Sequence, residues 1–248
     1  MKKPTTPPRP AKKRTPAARP SKRTKRLAES PSKKTKPAVS FGEPEVRRAI
    51  PLDYVTTDAV DLRSAHAELR AKMAKSIVDF EARRDAQGHL RVYNLPAGDG
   101  GGRYEVAGIN ERFHPQEAAK LRDLINGSRY DEAEAYAAEV IAGYTDVVSK
   151  WTTVPAIEAY LRDCAFNRGA GGAAKILQMA LAVNVDGGVG PETLGTLRKA
   201  EKDPAKLLAA LRVAREEYEL RVAGRREKFW GGLVNRWDDS LDFARGVA

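Results

Sequence analysis

The run Ser76-Ile77-Val78-Asp79-Phe80-Glu81-Ala82-Arg83-Arg84, followed closely by Gly88 and the alternating Leu90-Arg91-Val92-Tyr93, decides how the rest of the chain is read. Upstream of it, apolar residues recur at Phe80, Ile77, Met73, Leu69, Ala65, Leu62 and Val60. Most of these steps are three or four residues, which predicts one amphipathic helix from Asp58 to about Arg84. Downstream, Leu90 to Tyr93 and Tyr104-Glu105-Val106 flank Pro96, Gly98 and Asp99-Gly100-Gly101-Gly102, which predicts a small β-hairpin over 90–107. Glu81 then sits at the joint between helix and hairpin. An acid there is fixed by the helix, shielded by Phe80 and faced by a hairpin carboxylate, Asp99 or Glu105, an arrangement suited to protonating a glycosidic oxygen. The plainer reading of a Glu beside Arg83 and Arg84 at a helix end is a solvated ion pair.

From Pro115 onward every segment reads as helix, so the chain is mainly α with one hairpin. Pro115 to Asn126 is one helix, and Ser128 three residues before Asp131 predicts a capping box opening the next, which runs to about Lys150. Thr153 and Pro155 open another, and Gly171 to Val183, small and apolar on nearly all faces, reads as a buried central helix. The turn Asp186-Gly187-Gly188-Val189-Gly190-Pro191 hands over to a helix at Glu192. Asp203-Pro204 starts a helix to about Val222, and Phe229 to Phe243 forms the last. The expected division is a tail and linker over 1–56, a lobe over 57–150 holding the hairpin, and a helical lobe over 151–248.

The formal charge of +11 is unevenly placed. Residues 1–40 carry nine Lys and five Arg against Glu29 alone, and eight of the fifteen prolines, so this basic tail is expected to be disordered. The remaining residues are close to neutral. Through residues 2–36 the tail could bind polyanions, nucleic acid or acidic envelope polymers, by counterion release without sequence readout. No run approaches the ~18 apolar residues of a membrane span, and no 7–15-residue apolar segment follows the basic start within the first 40 positions. The reading therefore has no integral membrane segment and no classical signal peptide. Cys164 is the sole cysteine and His66, His89 and His114 are scattered, so no metal site and no cofactor is expected.

Several runs carry a family resemblance: Ile77 to Glu81, Asp99 to Gly102 with Gly108-Ile109, Asp163-Cys164-Ala165-Phe166-Asn167-Arg168-Gly169, Ala174 to Gln178, Asp186 to Thr193, and Phe229-Trp230-Gly231-Gly232-Leu233-Val234-Asn235-Arg236. Together and in this order they resemble glycoside hydrolase family 108, N-acetylmuramidases of phages and bacteria with a lysozyme-like fold and a C-terminal peptidoglycan-binding segment. The resemblance covers roughly residues 70–243. It implies that Glu81 is the general acid for the β-1,4 bond between N-acetylmuramic acid and N-acetylglucosamine, with peptidoglycan glycan strands as substrate. Where that family has two glycines after the acid, this chain has Ala82 and Arg83. The alternative is a catalytically degenerate wall-binding or virion structural protein of the same fold. A cell-wall substrate implies delivery by a holin-type route, a secretion system or a phage particle after synthesis in the cytoplasm.

Around Glu81, the candidate catalytic partners are Asp99 and Glu105. Candidate substrate contacts are Tyr93 and Tyr104, whose rings could stack on sugars, Asn167 and Gln178, amides within apolar helices, and Asp186 and Thr193 at the glycine-rich turn. Each has a structural counterpart: hairpin packing for the tyrosines, core hydrogen bonding for the amides, and a turn followed by a Pro-initiated helix for Asp186 to Thr193. Trp151, Trp230 and Trp237 read as core or helix-contact residues.

Overall fold

A computed structural model describes residues 57–96, 102–223 and 227–247. The basic tail and linker over 1–56 and the loop residue Asp99 lie outside the described residues. Among those described are seven α-helices and one small sheet: α1 (Thr57–Glu81), β1 (Tyr93–Asn94), β2 (Tyr104–Val106), β3 (Ile109–Asn110), α2 (Pro115–Asn126), α3 (Tyr130–Thr145), α4 (Pro155–Ala180), α5 (Pro191–Ala200), α6 (Pro204–Ala223) and α7 (Glu227–Gly246). A 3-10 turn, Asp146–Lys150, joins α3 to α4. The mainly helical reading with a small β element holds.

Local chemistry explains the helix starts. Proline occupies the first position of α2, α4, α5 and α6, where its missing N–H removes no helical bond. Asp203 caps α6 by accepting from the backbone N–H of Lys206 at 3.0 Å. The capping box expected at Ser128 does not form, because Ser128 takes the left-handed conformation (φ 57°) that ends α2. The Arg129 N–H reaches back to the Leu124 carbonyl at 2.9 Å, closing a Schellman-type terminus, and α3 starts at Tyr130 with no side-chain cap. The predicted hairpin is a three-stranded antiparallel meander in the order β1-β2-β3. The third strand forms because Ala107 and Gly108 both take positive φ, 48° and 73°, the signature of a two-residue turn that matches strand twist. The first helix ends at Glu81, three residues before the expected end, and Arg84 then bridges to Leu90.

Two apolar clusters hold these elements. One joins α1 to the sheet, α2 and α3 through Ala74, Ile77, Val78, Leu90, Val106, Ile109, Leu121 and Ile141. The other centres on α4 with Ile157, Tyr160, Leu161, Ile176 and Leu177, and takes Leu197, Leu208, Leu211 and Leu241 from the later helices. Met73, next to Ala74 on α1, belongs to the second cluster. Trp151 and Trp237 are buried, and Trp237 meets Trp230 edge to face at 5.6 Å. The α4 helix breaks once, at Gly169 (φ 67°, ψ 170°), a conformation closed to residues with a Cβ. The segment before that break faces the end of α1.

Candidate active site

Glu81 ends α1 and is followed by the chain turning toward the sheet, so its side chain lies where three elements converge. Its Oε1 accepts a hydrogen bond from Asn167 Nδ2 on α4 at 3.2 Å and lies 3.1 Å from Arg236 Nη2 on α7. The side chain keeps 26% of its surface exposed. Among the described residues no hydrogen bond is directed at Oε2. The β2–β3 turn closes the other side: a Cβ on Gly108 would stand 3.3 Å from Glu81 Cγ and 2.9 Å from Phe166 Cε1, so only glycine fits this approach.

Behind Glu81 runs a chain of alternating charge. Arg236 also pairs with Asp163 Oδ1, while its guanidinium carbon lies 4.8 Å above the Phe80 ring. Asp163, buried on α4, is 2.7 Å from Arg215 Nη1 on α6, in an ion pair without the alignment of a directed hydrogen bond. Asp163 and Asn167 are one helical turn apart, which puts anchor and site donor on one face of α4. Burial alone would raise the Asp163 carboxyl, but Arg215 and Arg236 outweigh it and hold it below the ordinary carboxylate range. Cys164, also buried, has its thiol pushed up to about 11, chiefly by burial, so it is no nucleophile.

The remaining candidates divide by position. Asn167 joins Glu81 directly. Glu105 sits mid-strand on β2 between two inward residues, Tyr104 and Val106, and is half-buried on the opposite face. Tyr104 is buried with Arg122 5.3 Å over its ring, so it packs the core and offers no free stacking face, contrary to the expectation of a sugar contact. Tyr93 remains half-buried at the sheet edge, with Arg83 4.9 Å over its ring.

Gln178, Asp186 and Thr193 come together, but around the buried Gln178 rather than at Glu81. Gln178 Nε2 donates to Asp186 Oδ1 at 2.7 Å and the Gly188 carbonyl at 2.9 Å, and lies 3.4 Å from Thr193 Oγ1. Its Oε1 accepts from Gly187 N–H at 2.8 Å. One amide thus pins the whole turn, and Asp186 is the exposed side chain of this network. The Gln178 hydrogen bond and the Gly188 N–H hold the Asp186 carboxyl below its ordinary range.

Arg236 is the residue beside Glu81 that the sequence did not single out. Its only signal was its place at the end of the Phe229 to Arg236 run, 155 positions from Glu81 in sequence.

Comparison with known proteins bears on the C-terminal half and on the fold. Residues 172–238 match a family described as a predicted peptidoglycan domain. That segment includes Gln178, the pinned turn, Arg215 and Arg236. The solved structure of SagA from Brucella abortus is similar to this chain, with a TM-score of 0.54 and 19% identity, over 73% of this chain and 96% of that one. No curated protein matches the sequence. The segment match marks residues 172–238 as peptidoglycan-related, and the structural likeness shows a shared fold.

Proposed function

We propose that the chain is a peptidoglycan glycosidase of the muramidase type, with Glu81 as the general acid. One observation carries the reading: a solvent-reachable carboxyl whose Oε1 is held from two helices, by the Asn167 hydrogen bond and the Arg236 ion pair, beside a turn too close for any residue but glycine. With Oε1 engaged, the proton to be transferred resides on Oε2, aimed by its anchored partner oxygen. A glycosidic oxygen seated there leaves as its alcohol once protonated, and a water or carboxylate on the opposite face of the sugar completes the substitution. The peptidoglycan-related match over 172–238 supports the substrate class. Such a substrate requires delivery to the wall by a holin-type, secretion-system or phage-particle route. Polyanion binding by residues 2–36 would be a separate property of the tail.

A second reading is favoured by a specific contact. Arg236 stands as an ion-pair partner 3.1 Å from Glu81, and Ala82 and Arg83 stand where the resembling muramidases have glycines, as in a wall-binding protein that keeps the fold without the chemistry. The test is purified peptidoglycan incubated with the wild type and with Glu81→Gln. The muramidase reading expects loss of turbidity and new reducing ends from the wild type, and a rate lower by about 10²–10³ in the variant with wall binding kept. Sedimentation with the wall without any new reducing ends selects the second reading.

A further inference from the structure

A row of aromatic rings leads away from Glu81 and is used by nothing described above. Phe166 abuts the Gly108 turn that touches Glu81. Tyr144, at the end of α3, stands perpendicular to Phe166 at 6.3 Å and to His114 at 5.3 Å. Although two rings fix its plane, Tyr144 is 47% exposed, and Phe113 beside His114 is 68% exposed. Scattered exposed aromatics are ordinary, but Tyr144 is exposed while packed against two other rings. Next to Tyr144 lies a groove of about 390 Å³, a volume in the range of small-ligand sites, lined by His114, Glu117, Glu139, Val140, Gly143 and Tyr144 among others. Gly143 leaves that groove open, since a Cβ there would meet no atom within 4 Å.

We propose that Tyr144, held between His114 and Phe166, is the platform of a glycan-binding subsite that extends from Glu81 across α3 and takes an uncharged N-acetylhexosamine ring. The proposal rests on the muramidase reading for its substrate class. A hexose ring offers a flat face of C–H groups to an aromatic side chain and a rim of hydroxyls. Tyr144 supplies the first partner, and Glu117 and Glu139 accept from the second. The lining contains two carboxylates and neither Lys nor Arg, which favours a neutral sugar over one bearing a carboxylate. Because perpendicular neighbours already fix the ring, binding loses little rotamer freedom there.

The experiment titrates the β-1,4-linked tetramer of N-acetylglucosamine calorimetrically into the full chain carrying Glu81→Gln, so that no hydrolysis intervenes. Tyr144→Ala added to it is expected to weaken binding roughly 3- to 10-fold, and Tyr144→Phe less than about 2-fold. Gly143→Leu removes no contact and fills the groove, so it keeps the fold while weakening binding by a similar factor. Equal affinity across these variants, or no tetramer binding at all, overturns the subsite. Tetramer binding that depends on Tyr144 in a protein whose wild type cuts no peptidoglycan keeps the subsite and removes the muramidase reading. Cleavage by the wild type with KM unchanged by Tyr144→Ala and Gly143→Leu does the reverse.

Discussion

Two charged clusters touch α4, and they are built from the same parts to different ends. In the first, Arg162, buried on α4, donates to Glu158 Oε1 at 2.8 Å, Thr145 Oγ1 at 3.0 Å, the Ala142 carbonyl at 3.3 Å and Asp146 Oδ1 at 3.0 Å. Arg70 closes it with two bonds to Asp146, at 2.8 and 2.5 Å. In the second, Arg215, Asp163, Arg236 and Glu81 alternate in sign, yet Arg215 Nη2, Arg236 Nε and the Tyr160 hydroxyl make no directed hydrogen bond. A saturated network fixes helices and has no capacity left for a ligand. The unsaturated one ends on a carboxyl reachable from solvent. Buried polar groups left incompletely paired are expected where a site has to do something besides hold together.

The comparison breaks first on stability. Arg162→Met strands Glu158, which is 4% exposed, and is expected to lower the unfolding free energy by ~3–5 kcal/mol in urea titrations. Arg236→Met leaves Asp163 with Arg215 and should cost half of that or less. Equal losses would erase the distinction between scaffold and site. Next in size is Glu81→Gln, expected to remove about 2–4 kcal/mol of transition-state stabilisation while changing the unfolding free energy by less than about 1 kcal/mol. An activity loss that tracks a stability loss would make Glu81 a structural residue.

The acid limb sharpens the contrast. Asp163 is held below its unfolded value, near pH ~3.9. Its contribution is therefore complete above that pH and is lost as pH falls through the lower, folded value. Asp163→Asn should be less stable than the wild type at pH 7, with the gap narrowing below about pH 4 in thermal melts. A gap that stays constant through the acid range contradicts the buried pairing. The smallest effect belongs to Arg70→Gln: Arg70 is one-third exposed on the solvent side of the saturated cluster, and about 1 kcal/mol or less is expected.

Much of this was legible before any coordinates. The joint at Glu81 follows from helical spacing ending against turn residues, and four helix starts follow from Pro115, Pro155, Pro191 and Pro204. Asp186 to Thr193 is the turn expected from its glycines and Pro191, whereas Gln178, read separately as an amide in an apolar helix, is joined to that turn only by the structure, away from Glu81. Three features were not legible. Ser128 satisfies the capping-box pattern, but the same residue was needed one step earlier to end α2 in the left-handed region. The third strand is two residues long, too short for alternation to register. Tyr104 alternates onto the face of Val106, opposite Glu105, and three residues of strand do not say whether that face lines a cleft or a core; the packing of α2 against the sheet put its ring in the core.

Local pattern settled where four helices begin, at Pro115, Pro155, Pro191 and Pro204, and which carboxyl stands at the joint, because φ/ψ preference, proline's missing donor and apolar period act over a few residues. Tertiary structure alone decided what that carboxyl meets. Asn167 and Arg236 lie 86 and 155 positions away in sequence, and a carboxyl's partner depends on which helices pack beside it, a choice made by burial of apolar faces that carry no record of the charges they will bring together.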